Sequence, residues 1–185
     1  RIAGEQLGWE VLDRELVDAV AEHFQWPRHT LDALDETSSS CLSGAVASWI
    51  DHTYVSQEKF VHCLANFMRA AAKRGKAVIV GRGAAGILHH YDGLKVRLVA
   101  PLTFRVERLM ATQGLDARQA RQIVERTDRN RREFAQRYFH HDIADRRHYD
   151  LVIDVQQAGL HGAAAQIVDA AERKFRPQPL TARAG

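Results

Sequence analysis

Cysteine is scarce in this sequence. Only Cys41 and Cys63 occur, far apart and without a Cys-x-x-Cys spacing, which excludes a disulfide framework and a cysteine-based zinc site. Proline is held to four positions, Pro27, Pro101, Pro177 and Pro179. No apolar run approaches the roughly 18 residues that span a bilayer. The N-terminus is polar and has no apolar core of the kind a signal peptide needs. A soluble protein of the cytoplasm, with no membrane partner, is therefore expected. Neither a Gly-x-Ser-x-Gly stretch nor a Cys/His arrangement points to covalent catalysis. Lysine is rare as well: 5 residues, against 21 arginines.

What is present is a typical globular composition, 45% hydrophobic and 26% charged over 185 residues, enough for one core. The net charge is only +3. Residues 118–147 hold nine arginines against five acidic residues, a local +4. Arginine at this density suits bidentate recognition of oxyanions. A GC-rich genome, which favours arginine codons everywhere, is the competing explanation.

The chain is organised around Ala77-Val78-Ile79-Val80-Gly81-Arg82-Gly83-Ala84-Ala85-Gly86. Continuous apolar character marks a strand covered on both faces, hence a parallel sheet. Gly81 and Gly83 turn the chain, and Arg82 is set at the carboxyl end of the strand, the edge where open parallel sheets bind ligands. An arginine fork there fits a phosphate or carboxylate; an ordinary turn with a solvated arginine is the plainer reading.

Taken in order, Arg1–Gly8 reads as the back half of a helix, so residues are expected upstream of it. Strands are predicted at 9–12, 77–80, 95–100 and 149–154, separated by helices, which defines a parallel α/β sheet. Asp13 caps a helix over 14–21, a second helix starts near Pro27, and a short one covers 44–52. Ser56 opens a long helix to Arg74, with Phe60, Leu64 and Phe67-Met68 at helical spacing and Gly75 as its stop. Pro101 begins a helix that runs to Gln113-Gly114. A long polar helix follows from about Asp116 to Phe139, and a closing helix covers 160–175. The tail from Pro177 is expected to be disordered, and no internal repeat is present.

Asp13, at the end of the first strand, can orient or deprotonate an attacking oxygen or hold a water on Mg²⁺; as a helix cap it needs no further role. Arg14 beside it can meet an acceptor phosphate or be solvated. On the long helix, at about 100° per residue, Ile123, Val124, Phe134 and Tyr138 form an apolar face opposite Arg118, Arg121, Arg129 and Arg132. Arg131 falls among the apolar positions, so an anion is expected to meet it, whether Asp128, Asp150 or a bound phosphate. A salt-bridged surface helix is the alternative. The adjacent pairs His89-His90 and His140-His141 do not point at one metal, and no metal ligands are expected.

With these stretches in place, the chain resembles the nucleoside monophosphate kinases, and among them the bacterial cytidylate-kinase-like family. The resemblance rests on Leu7-Gly8-Trp9 with Leu12-Asp13-Arg14-Glu15-Leu16, Val80-Gly81-Arg82-Gly83-Ala84-Ala85, Val96-Arg97-Leu98-Val99-Ala100-Pro101 and Tyr149-Asp150-Leu151-Val152-Ile153. It runs from Arg1 to about Phe175. It implies a P-loop-type three-layer α/β/α fold with a parallel sheet of order 2-3-1-4-5 and an Arg-rich helical lid. Strand 1 and the phosphate-binding loop lie outside this sequence.

The implied organisation is one kinase-like domain over 1–176, with a helical acceptor-binding insertion at 23–74 and the lid at 115–148, then the tail 177–185. The implied activity is transfer of the ATP γ-phosphoryl to CMP, dCMP or a related small phosphorylated acceptor, with ATP and Mg²⁺ as cofactors. A non-catalytic nucleotide-binding module on the same fold is the alternative. Arg82 matches the arginine of a Gly-Arg-Asp motif at the nucleotide site, between Gly81 and Gly83. Arg105 and Arg108 match basic positions leading to the lid. Arg126, Arg129 and Arg131 match lid arginines that clamp phosphates, and Asp13 matches an acceptor-side carboxylate. Gly83 departs from the motif, which has Asp there. The expected partners are small nucleotides; a homo-oligomer is compatible with the resemblance. Nucleic acid is not expected, because the basic helix lacks aromatic interleaving.

Overall fold

The computed structural model of the protein describes residues 1–13, 22, 57–140 and 142–176. Arg14, the helices expected over 14–21, from Pro27 and over 44–52, and the tail from Pro177 lie outside the described residues.

Helix α1 (Ile2–Leu7) ends at Gly8, whose φ of 64° supplies the left-handed cap. The chain then enters β1 (Glu10–Leu12), and α2 (Gln57–Arg74) stops at Gly75 as its sequence predicts. The turn after β2 (Ala77–Ile79) leads into the short α3 (Ala84–Ile87). Next come β3 (Val96–Val99) and α4 (Leu102–Gln113), closed by left-handed Gly114. Asp116 starts α5 (Ala117–Phe139) through a capping box with Gln119, each side chain bonding the other's backbone N–H. A 3₁₀ turn (Arg146–His148) precedes β4 (Leu151–Asp154), and α6 (Val155–Phe175) closes the described chain.

All four predicted strands are present, each shorter than read. The pairing is parallel in both cases. β1 lies on β2 with Glu10, Val11 and Leu12 opposite Ala77, Val78 and Ile79. β3 lies on β4 with Val96 opposite Leu151 and Val99 opposite Asp154. Among the described residues these form two separate two-stranded sheets. Tyr149 and Asp150 leave the predicted fourth strand because Tyr149 closes the 3₁₀ turn and the Asp150 carboxylate caps the Lys95 N–H at 2.6 Å. The closing helix starts earlier than its periodicity suggests. Asp154 accepts from the Gln156 and Gln157 N–H groups, and the helix is interrupted at Gly159, whose φ of 68° and ψ of 173° only glycine adopts readily.

The core is built on α2. Phe60, Leu64 and Met68, four residues apart, are fully buried, and Cys63, Leu12 and Ile87 join them. Each of the three large side chains contributes about 1.5–3 kcal/mol by leaving water. This core fixes α2 and α3 against β1 and β2, and so sets the edge where those strands end.

Asp150 offers a test of how β3 and β4 are tied at their other end. Its carboxylate also meets the Lys174 ammonium at 3.3 Å. Burial pushes its pKa up, but the Lys95 N–H and then Lys174 outweigh that and hold it below its usual value. A carboxylate with a depressed folded pKa stabilises above the unfolded pKa of about 3.9, and the contribution is lost as pH falls through the folded value. Its side chain is 39% exposed, so Asp150→Asn is expected to cost only about 1 kcal/mol at pH 7 and less at about pH 3, below the unfolded pKa. Urea titrations at both pH values check this; an equal loss at each would rule out a charge-based role.

Candidate active site

Two strand ends create the site. β1 finishes at Leu12 and hands the chain to Asp13; β2 finishes at Ile79 and hands it, through Val80, to Gly81-Arg82-Gly83. The Val80 N–H donates to the Leu12 carbonyl at 2.9 Å, which carries the pairing one residue past the strands and aligns the two exits. Arg82 Nη1 then donates to Asp13 Oδ1 at 2.6 Å, across 69 residues of sequence. Arg82 is buried, 6% exposed, while the Asp13 side chain keeps 27% of its surface. The Arg1 guanidinium approaches the other Asp13 oxygen at 3.9 Å. A carboxylate facing two arginines at the carboxyl edge of parallel strands can position an oxyanion and the hydroxyl or phosphate oxygen beside it.

The turn that carries Arg82 is unusual. Gly81, Arg82 and Gly83 all have positive φ, at 69°, 51° and 70°. Glycine tolerates this; for arginine the left-handed region costs about 1–2 kcal/mol. Gly83 is also required by space, because a Cβ there would overlap the Phe139 ring and sit 3.1 Å from the Phe134 ring. The departure from a Gly-Arg-Asp sequence thus has a packing reason: the end of α5 occupies the volume a carboxylate would need.

The remaining candidates are carried on α4 and α5. Arg105 makes a two-pronged bond to Asp128 at 2.7 and 2.9 Å, and its Nε donates to the Ala100 carbonyl at 3.0 Å. One side chain therefore joins the end of β3 to both helices. Arg108, Arg129 and Arg131 are exposed. For Arg131 this corrects the expectation of a buried, inward guanidinium. Its position does fall on the apolar stripe, but the buried residues of that stripe cluster at the two ends of α5: Ala120 and Val124, then Phe134 and Ala135. Between them the stripe is only half-buried, with Thr127 and Asp128 partly covered and Arg131 left exposed. Nor do the two suggested carboxylates meet Arg131, since Asp128 is taken by Arg105 and Asp150 by Lys95 and Lys174. The arginine that does reach inward is Arg126, whose Nε is buried with no hydrogen-bond partner.

The structure therefore brings Asp13, Gly81, Arg82 and Gly83 together, and leaves the α4 and α5 arginines apart from that pair. Sequence reasoning missed Phe139 as part of the site; the signal was Gly83 itself, a glycine where the Gly-Arg-Asp motif has a side chain. It also missed a polar position in β3. Arg97 Nη1 donates to the Ile143 carbonyl and to the Tyr149 hydroxyl, with the guanidinium 5.5 Å from that ring's centre. Arg97, Arg146, Asp154, Gln157 and Gln166 line an open cavity of about 820 Å³.

Parallel strand pairs packed with helices, with an arginine–carboxylate pair at the ends of β1 and β2, define an α/β protein with a charged pair at its sheet edge. Residues 2–157 match the model of the cytidylate kinase-like family, and the chain belongs to that family. It is similar to the cytidylate kinase of Pyrococcus horikoshii, with 38% identity over 102 residues, 55% of this chain and 52% of that protein. It is likewise similar to the cytidylate kinase of Thermococcus sibiricus, with 40% identity over 102 residues, 55% and 51% of the two chains. The chain spans about half the length of these curated relatives. In fold it is similar to the crystal structure of an uncharacterized protein from Eubacterium ventriosum, with a TM-score of 0.67 over 92% of this chain and 86% of that one, at 19% identity.

Proposed function

We propose that this chain belongs to a nucleoside monophosphate kinase-like phosphotransferase that moves the ATP γ-phosphoryl to CMP, dCMP or a related small phosphorylated acceptor. The observation that carries this reading is the buried Arg82 locked on Asp13 at 2.6 Å at the ends of β1 and β2. The parallel pairing of β1 with β2 and of β3 with β4 supports the sheet order 2-3-1-4-5, in which they are strands 2, 3, 4 and 5.

In this reading Arg82 exchanges part of its hold on Asp13 for the acceptor phosphate, and Asp13 keeps the guanidinium fork oriented. Arg14 belongs to the same acceptor side. An acceptor phosphate oxygen attacks the γ-phosphorus while the bond to the β–γ bridging oxygen breaks, giving the acceptor diphosphate and ADP. Arg126, Arg129 and Arg131 on the middle of α5 neutralise charge on the transferring group, and this segment acts as the lid. Arg105, with Arg108 on the same helix, sets the lid's base. Mg²⁺ arriving with the nucleotide would supply charge neutralisation for the triphosphate; among the described residues no three His, Cys, Asp or Glu side chains converge to hold a metal. No described helix is long and apolar enough to cross a membrane, and the cytoplasm is the compartment we propose.

The test is ADP formation by the full-length protein with Mg·ATP and a panel of CMP, dCMP, UMP and AMP. Turnover above the acceptor-free rate with CMP or dCMP is the expected result. Nucleotide binding without turnover for any acceptor would overturn catalysis and leave the binding-module reading.

A further inference from the structure

The backbone bonds of the Arg82 turn do not by themselves explain why it keeps three successive left-handed residues. The Ala84 N–H closes it on the Gly81 carbonyl at 3.0 Å, a bond open to any tight turn. What lies over it comes from the far end of α5. Phe139 is the last residue of that helix, and His140 after it caps the helix in a left-handed conformation with its N–H on the Gln136 carbonyl. The Phe139 ring stands where a side chain at position 83 would go, with Phe134 beside it edge-on at 5.8 Å. Phe134 is buried, and Phe139 packs against the Phe60–Leu64–Met68 core. The ring therefore cannot withdraw into the core, and the turn cannot relax toward the ring.

We propose that Phe139 is a positioning residue for the arginine–carboxylate pair. Its ring holds the Gly81–Gly83 turn in its left-handed course, fixes Arg82 on Asp13, and couples the position of α5 to that of the Arg82 guanidinium. The coupling runs through the close approach of the Phe139 ring to the Gly83 backbone, since close-packed groups transmit displacement. Its consequence for turnover rests on the proposed phosphotransferase reading; the coupling itself does not.

The experiment uses the full-length protein and the variants Phe139→Leu, Phe139→Ala, Gly83→Ala and the Gly83→Ala/Phe139→Ala double. Amide hydrogen exchange reads the coupling without any activity. Phe139→Ala is expected to raise exchange at Ala84 and Val80 at least tenfold, and Phe139→Leu about threefold, with the β3 and β4 amides unchanged. Should the alanine variant fail to fold, the leucine variant carries this test. Gly83→Ala is expected to speed amide exchange at Ala84 at least fivefold more in the wild-type background than beside Phe139→Ala, because the second change removes the overlap and leaves only the backbone strain. Exchange that rises uniformly across the protein, or stays unchanged at Ala84, would overturn the positioning role. So would equal effects of Gly83→Ala in both backgrounds. A protein inactive on every acceptor but with localised exchange at Ala84 would defeat the kinase reading and leave this one standing.

Discussion

Arg82→Ala is expected to lower phosphoryl transfer by about 10²–10³-fold, the usual cost of removing one well-placed donor from a reacting anion. The size follows from geometry. The guanidinium is 6% exposed and already oriented by Asp13, whereas the other arginine beside that carboxylate, Arg1, stands 3.9 Å away with its side chain 61% exposed. Stability should fall as well, by about 1.5–3 kcal/mol, because Asp13 loses a charge-assisted bond. Arg82→Lys should restore most of the stability and little of the rate, since an ammonium cannot present two parallel donors. Initial rates and urea denaturation of the same three proteins separate the two effects. Rates unchanged in Arg82→Ala would mean that the pair is structural only, and the site would have to be sought elsewhere.

The second large effect concerns α5, where activity and stability should move in opposite directions. Arg126 keeps a buried Nε with no acceptor, a state that costs about 1–3 kcal/mol. Arg126→Met is expected to raise the melting temperature by a few degrees and, on the proposed reading in which this group meets a phosphate, to cut turnover about 100-fold. Arg131→Ala should also lower turnover or phosphate affinity by well over tenfold, yet leave stability within about 0.5 kcal/mol, since its side chain is exposed. Differential scanning calorimetry beside the kinase assay checks both. A loss of stability in Arg126→Met would show that the buried nitrogen already contributes to the fold, and the idea of a waiting donor would be dropped.

Much of the local structure was legible because its causes lie within a few residues of one another. The α5 helix begins at Asp116 and ends at Phe139 as read, since the cap and the apolar spacing are local properties. Gly75 and Gly114 stop their helices for the same reason. The apolar run at 77–80 was legible as a strand and the structure pairs it parallel, but Ala77–Ile79 are half-buried and Val80 is exposed, so the expected cover on both faces is not found among the described residues. The site was legible in type rather than in geometry. Arg82 and Asp13 were singled out separately, on different strands, and no spacing rule joins residues so far apart. The helical wheel put Arg131 on the apolar stripe correctly, but a wheel cannot show that the middle of that stripe is covered only in part and leaves Arg131 exposed.

The sequence by itself determined the alternation of strands and helices, the parallel sheet, the arginine-rich helix and the glycine turn after β2, because backbone preference, capping and periodicity act over short stretches of chain. Only the tertiary structure decided which charges meet: Arg82 with Asp13, Arg105 with Asp128, Lys174 with Asp150. It also decided that Phe139, and no side chain of residue 83, fills the space over the turn. Those outcomes depend on how α2, α3 and α5 pack on the strand ends, and packing is settled by contacts between residues that the chain itself keeps far apart.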